Sequence, residues 1–166
     1  MSAVAAPQGE TSVVEREIRV EAERQDVFGY FTDPTKMVRW MGIGATLDPR
    51  PGGRFSLEWV SDYFVEGEYV VVEPPTRVVF TWGFGNRPGE ENPFPPGAST
   101  VEVELVADGD ATIVHLTHRV PSHLTHFHEL GWENYLGRLA IVAAGGDPGA
   151  DPLLEFLEGM AGSSRD

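Results

Sequence analysis

Between Thr100 and Val106 the chain alternates residue by residue, with Val101, Val103 and Leu105 set against Thr100, Glu102 and Glu104. A period of two belongs to a strand with one face in a core and the other in water. Similar patterning predicts strands over residues 12–20, 45–48, 54–60, 65–73 and 112–120, and another through Val78, Phe80 and Trp82. Inward faces then carry Phe55, Leu57 and Trp59 on one strand, and Val114, Leu116 and His118 on the last. On 65–73, Glu66 and Glu68 mark the wet side, which turns Val65, Gly67, Tyr69 and Val71 inward. Turns fall at Pro49–Gly53, Glu73-Pro-Pro-Thr76 and Asp108-Gly109, where proline and glycine break the pattern.

The one long segment with a 3.6-residue period is 126–144. Trp132, Tyr135, Leu136, Leu139, Val142 and Ala143 share a stripe, while Glu129, Glu133 and Arg138 mark the outer side. Gly131 and Gly137 each weaken such a helix by about 1 kcal/mol relative to Ala, so a close approach to the sheet is expected there. A helix at 22–31 buries Val27, Phe28 and Phe31, and Asp33-Pro34 opens a second short one with Met37, Trp40 and Met41 as its apolar residues. The expected organisation is a disordered tail at 1–10, one α+β domain at 11–146, and an extension at 147–166 with a short helix at 152–160.

An antiparallel sheet of about seven strands curls, and a helix laid in its concave side leaves space between the two. Phe55, Trp59, Tyr69, Phe80 and Trp82 face that space. Large flat side chains suit an apolar ligand pocket and a dry core equally well. His118, at the end of its strand, would point inward as a polar contact or a general acid/base. Tyr69 and Tyr135 offer hydroxyls to the same space. The Gly/Pro-rich loop 83–97 is long enough to be a functional flap.

Charge and composition narrow the classes. The net charge is −14, which argues against a nucleic-acid groove and against anionic membrane surfaces. Cysteine is absent, which excludes thiolate metal sites and a cysteine nucleophile. No apolar run reaches membrane-span length and no signal pattern leads the chain, so a cytoplasmic location is expected. His123, His126, His128 and Glu129 match no metal-ligand spacing and read as a partly exposed helix start. No Ser-His-Asp order, phosphate loop or dinucleotide fingerprint is present, and neither metal nor cofactor is expected.

Four segments in series resemble a known family. Trp40…Asp48-Pro-Arg-Pro-Gly-Gly-Arg-Phe55 is similar to its W…(D/E)xRxGGxF segment, and the run from Phe64 to Trp82, with Pro74-Pro75-Thr76-Arg77, to its GxxxxxxPPxRLxFTW segment. Thr112-Ile-Val-His-Leu-Thr-His118 and Gly131-Trp132…Leu136…Leu139 resemble its closing motifs. Together they resemble the bacterial homologues of the activator of heat-shock-protein ATPase, in the START-like, or SRPBCC, helix-grip superfamily. The resemblance implies a curved antiparallel sheet wrapped around a long C-terminal helix, with a cavity between them. Members of the superfamily bind lipids, sterols, polyketides or hormones, and some are cyclases or aromatase-like enzymes. The eukaryotic chaperone activators carry an additional N-terminal domain, for which this length leaves no room.

The first expectation is therefore a binder of a small apolar or aromatic molecule, walled by Phe55, Trp59, Tyr69, Phe80, Trp82, Tyr135 and Leu139 with His118 as polar contact. The alternatives are a cyclase- or hydrolase-type enzyme with His118 as base, and a chaperone-related interaction protein. A protein partner is possible, and the chain is expected to be a monomer or homodimer.

Overall fold

The computed structural model describes residues 10–60 and 62–153. The expected tail at 1–10, except Glu10, and the terminal helix beyond Leu153 lie outside the described residues. β1 (Thr11–Val20) is followed by α1 (Arg24–Thr32) and α2 (Pro34–Met37). Six strands come next: β2 (Gly44–Leu47), β3 (Arg54–Val60), β4 (Tyr63–Glu73), β5 (Arg77–Phe84), β6 (Ser99–Asp108) and β7 (Ala111–Pro121). A 3-10 turn at Ser122–Leu124 then leads into α3 (Thr125–Ala143).

The strands form one antiparallel sheet in the order β1-β7-β6-β5-β4-β3-β2. β2 to β7 form a meander, and β1 pairs with the last strand, so α1 and α2 carry the chain from one edge to the other. Local chemistry starts the second of those helices. The Asp33 carboxylate accepts from the Thr35 N–H at 2.9 Å, and Pro34 occupies the first turn, where its missing N–H costs nothing. The indole of Trp40 donates to the Tyr30 carbonyl at 3.0 Å and ties the segment after α2 back to α1.

The sheet wraps around α3, and their facing side chains make one core. Phe55 stacks on Phe80 at 4.3 Å between centroids, and Tyr69 meets Phe55 edge-on at 5.7 Å. Aromatic pairs of this kind add about 0.5–1.5 kcal/mol each beyond the area they bury. The Tyr69 hydroxyl is satisfied inside the core by the Phe31 carbonyl at 2.8 Å. Burial, with the Asp48 carboxylate second, pushes its pKa above the ordinary tyrosine value.

Three expectations are corrected by the structure. A register irregularity in β4 between Tyr69 and Val71 shifts the alternation, so Val72, opposite Val78, packs on the core in place of Val71. Arg138 is no outer residue: its Nε donates to the Trp40 carbonyl at 3.1 Å and its Nη1 to the Gly149 carbonyl at 3.1 Å. It clasps α3 to the segment after α2 and to the chain beyond the helix. At Gly131 and Gly137 an added Cβ would meet nothing within 4 Å, so neither glycine serves a close approach to the sheet.

Candidate functional site

Where α3 crosses the strands, a void of about 10 Å³ remains, bordered by Met41, Trp59, Trp82, Phe127, His128, Gly131, Trp132 and Tyr135. That is space for about one water molecule. Its walls are almost wholly apolar, and the aromatic rings are braced from behind. The Trp59 indole donates to the Tyr135 hydroxyl at 2.6 Å. Burial, followed by the Asp151 carboxylate, raises the Tyr135 pKa well above the ordinary value, so the phenol stays protonated. Trp82 lies against Trp132 with centroids 5.1 Å apart.

Behind this wall runs a complete hydrogen-bond chain centred on His118, which is 0% exposed. The Trp132 indole N–H donates to His118 Nδ1 at 3.0 Å, which makes Nδ1 the acceptor nitrogen. His118 Nε2 therefore carries the proton and donates to Ser99 Oγ at 2.8 Å, while Ser99 donates its own proton to the Trp82 carbonyl at 2.7 Å. Burial, reinforced by neighbouring His128, lowers the His118 pKa to about 2. With both nitrogens engaged, this ring has no lone pair left for a substrate proton.

His128 is placed differently. Its Nδ1 lies 3.0 Å from the Leu124 carbonyl, and since a carbonyl only accepts, Nδ1 holds the proton. Burial lowers its pKa, so Nε2 is a bare acceptor. That nitrogen is buried without a partner, and so is the indole N–H of Trp82. Both side chains border the void.

Phe127 forms the outer wall. It is half-buried, tilted against Trp59 at 5.9 Å and edge-on to Phe84 at 6.5 Å. It sits in the first turn of α3, whose N-cap position is Leu124 with no side-chain hydrogen bond. Capping residues add about 1 kcal/mol to a helix start, so this end is held mainly by packing. The loop after β5 is fastened instead of hanging free. Phe94 is buried between Phe84 and His128, the Phe84 N–H donates to the Phe94 carbonyl at 2.6 Å, and Asn92 donates to the Phe84 carbonyl at 2.8 Å.

Of the residues expected at the site, Trp59, Trp82 and Tyr135 line the void. Phe55, Tyr69, Phe80 and Leu139 are fully buried in the core beyond its lining, and His118 stands behind Trp132 and Trp82. Met41, Phe127, His128, Gly131 and Trp132 complete the lining and were not expected there. For His128 a signal existed: positions 128, 132, 135, 139 and 142 continue one helical stripe. Reading it with its exposed neighbours hid that, because His126 is 84% exposed beside a buried His128. Among the described residues, no group of three or more metal-binding side chains converges. No described helix is long and apolar enough to cross a membrane.

A seven-stranded antiparallel sheet gripping one long C-terminal helix, with the residual space between them, defines a helix-grip protein of the START-like class. Residues 21–144 match the family described as activator of Hsp90 ATPase homolog 1-like protein, and the chain belongs to it. Among solved structures, an AHSA1-like protein from Rhizobium etli is 41% identical, covering 86% of this chain and 88% of its own, with a TM-score of 0.67. CalU16 from Micromonospora echinospora is 29% identical over 90% of this chain and 74% of its own, with a TM-score of 0.67. An HSP90 activator from Plasmodium falciparum shares the fold at 24% identity, covering 82% of this chain and 97% of its own, with a TM-score of 0.63. No functionally curated protein matches.

Proposed function

We propose that this protein binds a small apolar or aromatic molecule between the sheet and α3, at the void beside Gly131. The observation that carries this is a glycine on the buried stripe of α3 facing unfilled space, where an added Cβ would meet nothing within 4 Å. A core residue in that position ordinarily touches several neighbours, because interiors are packed to crystal-like density. The void itself is too small for a ring, so binding requires Phe127 to swing outward from the uncapped first turn of α3. Trp59, Trp82, Trp132 and Tyr135 then form the walls of the enlarged space.

An enzymatic reading with His118 as base has less support, since Trp132 occupies its acceptor nitrogen. A chaperone-related role is suggested by the family description, and a partner that still binds after the void is filled would favour it. The binding reading is tested by titrating the full chain with naphthalene-sized arenes while following tryptophan fluorescence and thermal unfolding. Saturable quenching with a rise in Tm is expected, and Gly131→Leu should abolish both. A flat titration across apolar, aromatic and sterol-like probes overturns the proposal.

A further inference from the structure

After α3 the chain reverses and runs back along the helix. Gly145, at φ +94°, ends α3, and the Gly146 N–H donates to the Ile141 carbonyl at 2.8 Å. Residues 147–153 then form a strap with two anchors on α3. Arg138 Nη1 donates to the Gly149 carbonyl at 3.1 Å, and one helical turn earlier Asn134 Nδ2 donates to Asp151 Oδ1 at 3.1 Å. The same carboxylate oxygen accepts the Leu153 N–H at 3.0 Å, and Leu153 packs against the core. Asp151 is 8% exposed, and among the described residues no cation pairs with it. A carboxylate buried without a counter-ion is unfavourable unless hydrogen bonds hold it, and here those bonds fix the strap. The strap lies outside the stretch that matches the family, residues 21–144.

Both anchors reach walls of the void. Asp151 stands beside the Tyr135 hydroxyl and helps it keep its proton, and Tyr135 lines the void and accepts from Trp59. Arg138 donates through Nε to the Trp40 carbonyl at 3.1 Å, and the next residue, Met41, lines the void as well. The strap therefore closes the seam between α3 and the segment after α2. Other walls are fixed by other means: Trp59 and Trp82 sit on paired strands, and Trp132 is bonded to His118. Close-packed surroundings resist local expansion, so Phe127 and the seam are the two places where the site can widen. Resting on the binding function proposed above, we infer that the strap 147–153 sets the upper size of the ligand. With Asp151 and Arg138 engaged the seam stays shut, and the space opened by Phe127 alone admits a naphthalene-sized molecule and rejects a broader one. Asp151 is a positioning residue, acting through Tyr135 and the strap without touching the ligand.

Naphthalene and pyrene, flat arenes of different breadth, test this when titrated into the full chain with tryptophan fluorescence as the readout. In the native chain naphthalene should bind about tenfold more tightly than pyrene. Asp151→Ala and Asn134→Ala each cut the inner anchor, and both should raise the affinity for pyrene relative to naphthalene by about tenfold. Amide exchange should quicken at 147–153 in both variants while β6 and β7 stay protected, which tells release of the strap apart from loss of the fold. Pyrene binding as tightly as naphthalene in the native chain, a comparison that needs no variant, overturns the inference and leaves the binding function standing. A ratio that stays at the native value in both variants, although the strap exchanges freely, overturns it too. Binding of neither arene overturns the inference and the binding function together.

Discussion

The indole of Trp132 on α3 donates to Nδ1 of His118 on β7 at 3.0 Å, and this bond decides what the buried histidine does. It engages the imidazole's lone pair and sends the ring proton to Ser99. A residue that looks poised for proton transfer is instead the bolt between helix and sheet.

Stability should therefore fall in mild acid. The folded-state pKa of His118 is lowered to about 2, far below the ordinary histidine value of about 6.5. Above pH 6.5 both folded and unfolded forms are neutral and the group contributes nothing. As pH falls below that value the unfolded chain takes up a proton that the folded chain refuses, so stability drops by about 1.4 kcal/mol per pH unit, or about 2 kcal/mol by pH 5. His128, also lowered by burial, acts in the same direction. Urea unfolding at pH 7, 6 and 5 measures the slope. His118→Gln should make it shallower by about one proton, and an unchanged slope would contradict the assignment.

Trp132→Phe keeps most of the ring but removes the N–H. His118 Nδ1 is then buried without a donor, and the expected loss is about 1–3 kcal/mol. Chemical denaturation should show a lower midpoint at constant m-value. No loss would mean that packing alone joins α3 to β7.

Gly131→Ala and Gly137→Ala separate stability from binding. Both sites have open space for a methyl group, and each alanine should stabilise the helix by about 1 kcal/mol, raising Tm by roughly 2–4 °C. Only Gly131 borders the void. Arene affinity should fall in Gly131→Ala and stay at the native value in Gly137→Ala, and a parallel effect in both would place the ligand elsewhere.

Gly83 has the opposite surroundings. A Cβ there would lie 1.8 Å from the Pro95 carbonyl oxygen, which is backbone and has no side-chain freedom with which to yield. Gly83→Ala should cost about 1–3 kcal/mol through overpacking. It should also free the loop carrying Phe94, visible as faster amide exchange at residues 85–98 with the rest of the sheet protected.

The sequence by itself determined the sheet and the helix, because both depend on local periodicity. Alternation along β6 and β7 sorts Val101, Val103, Val114, Leu116 and His118 inward, and the 3.6-residue stripe of α3 sorts Trp132, Tyr135 and Leu139 inward. It also carried the family, since four motifs keep their order along the chain. What it left open was which inward residues touch one another and which touch nothing. Phe55, Tyr69 and Phe80 face the same way as Trp59 and Trp82, yet the first three stack together and only the latter two reach the void. The direction of Val71 turned on a register shift in β4 that no alternation reveals. The roles of His118 and His128 depended on partners 14 and 19 residues away for one and on a helix-start carbonyl for the other. A side chain's inward direction follows from its own strand or helix, whereas hydrogen-bond saturation and empty volume arise only where separate elements meet. Tertiary packing alone therefore decided that one buried histidine is a bolt and the other a vacant acceptor.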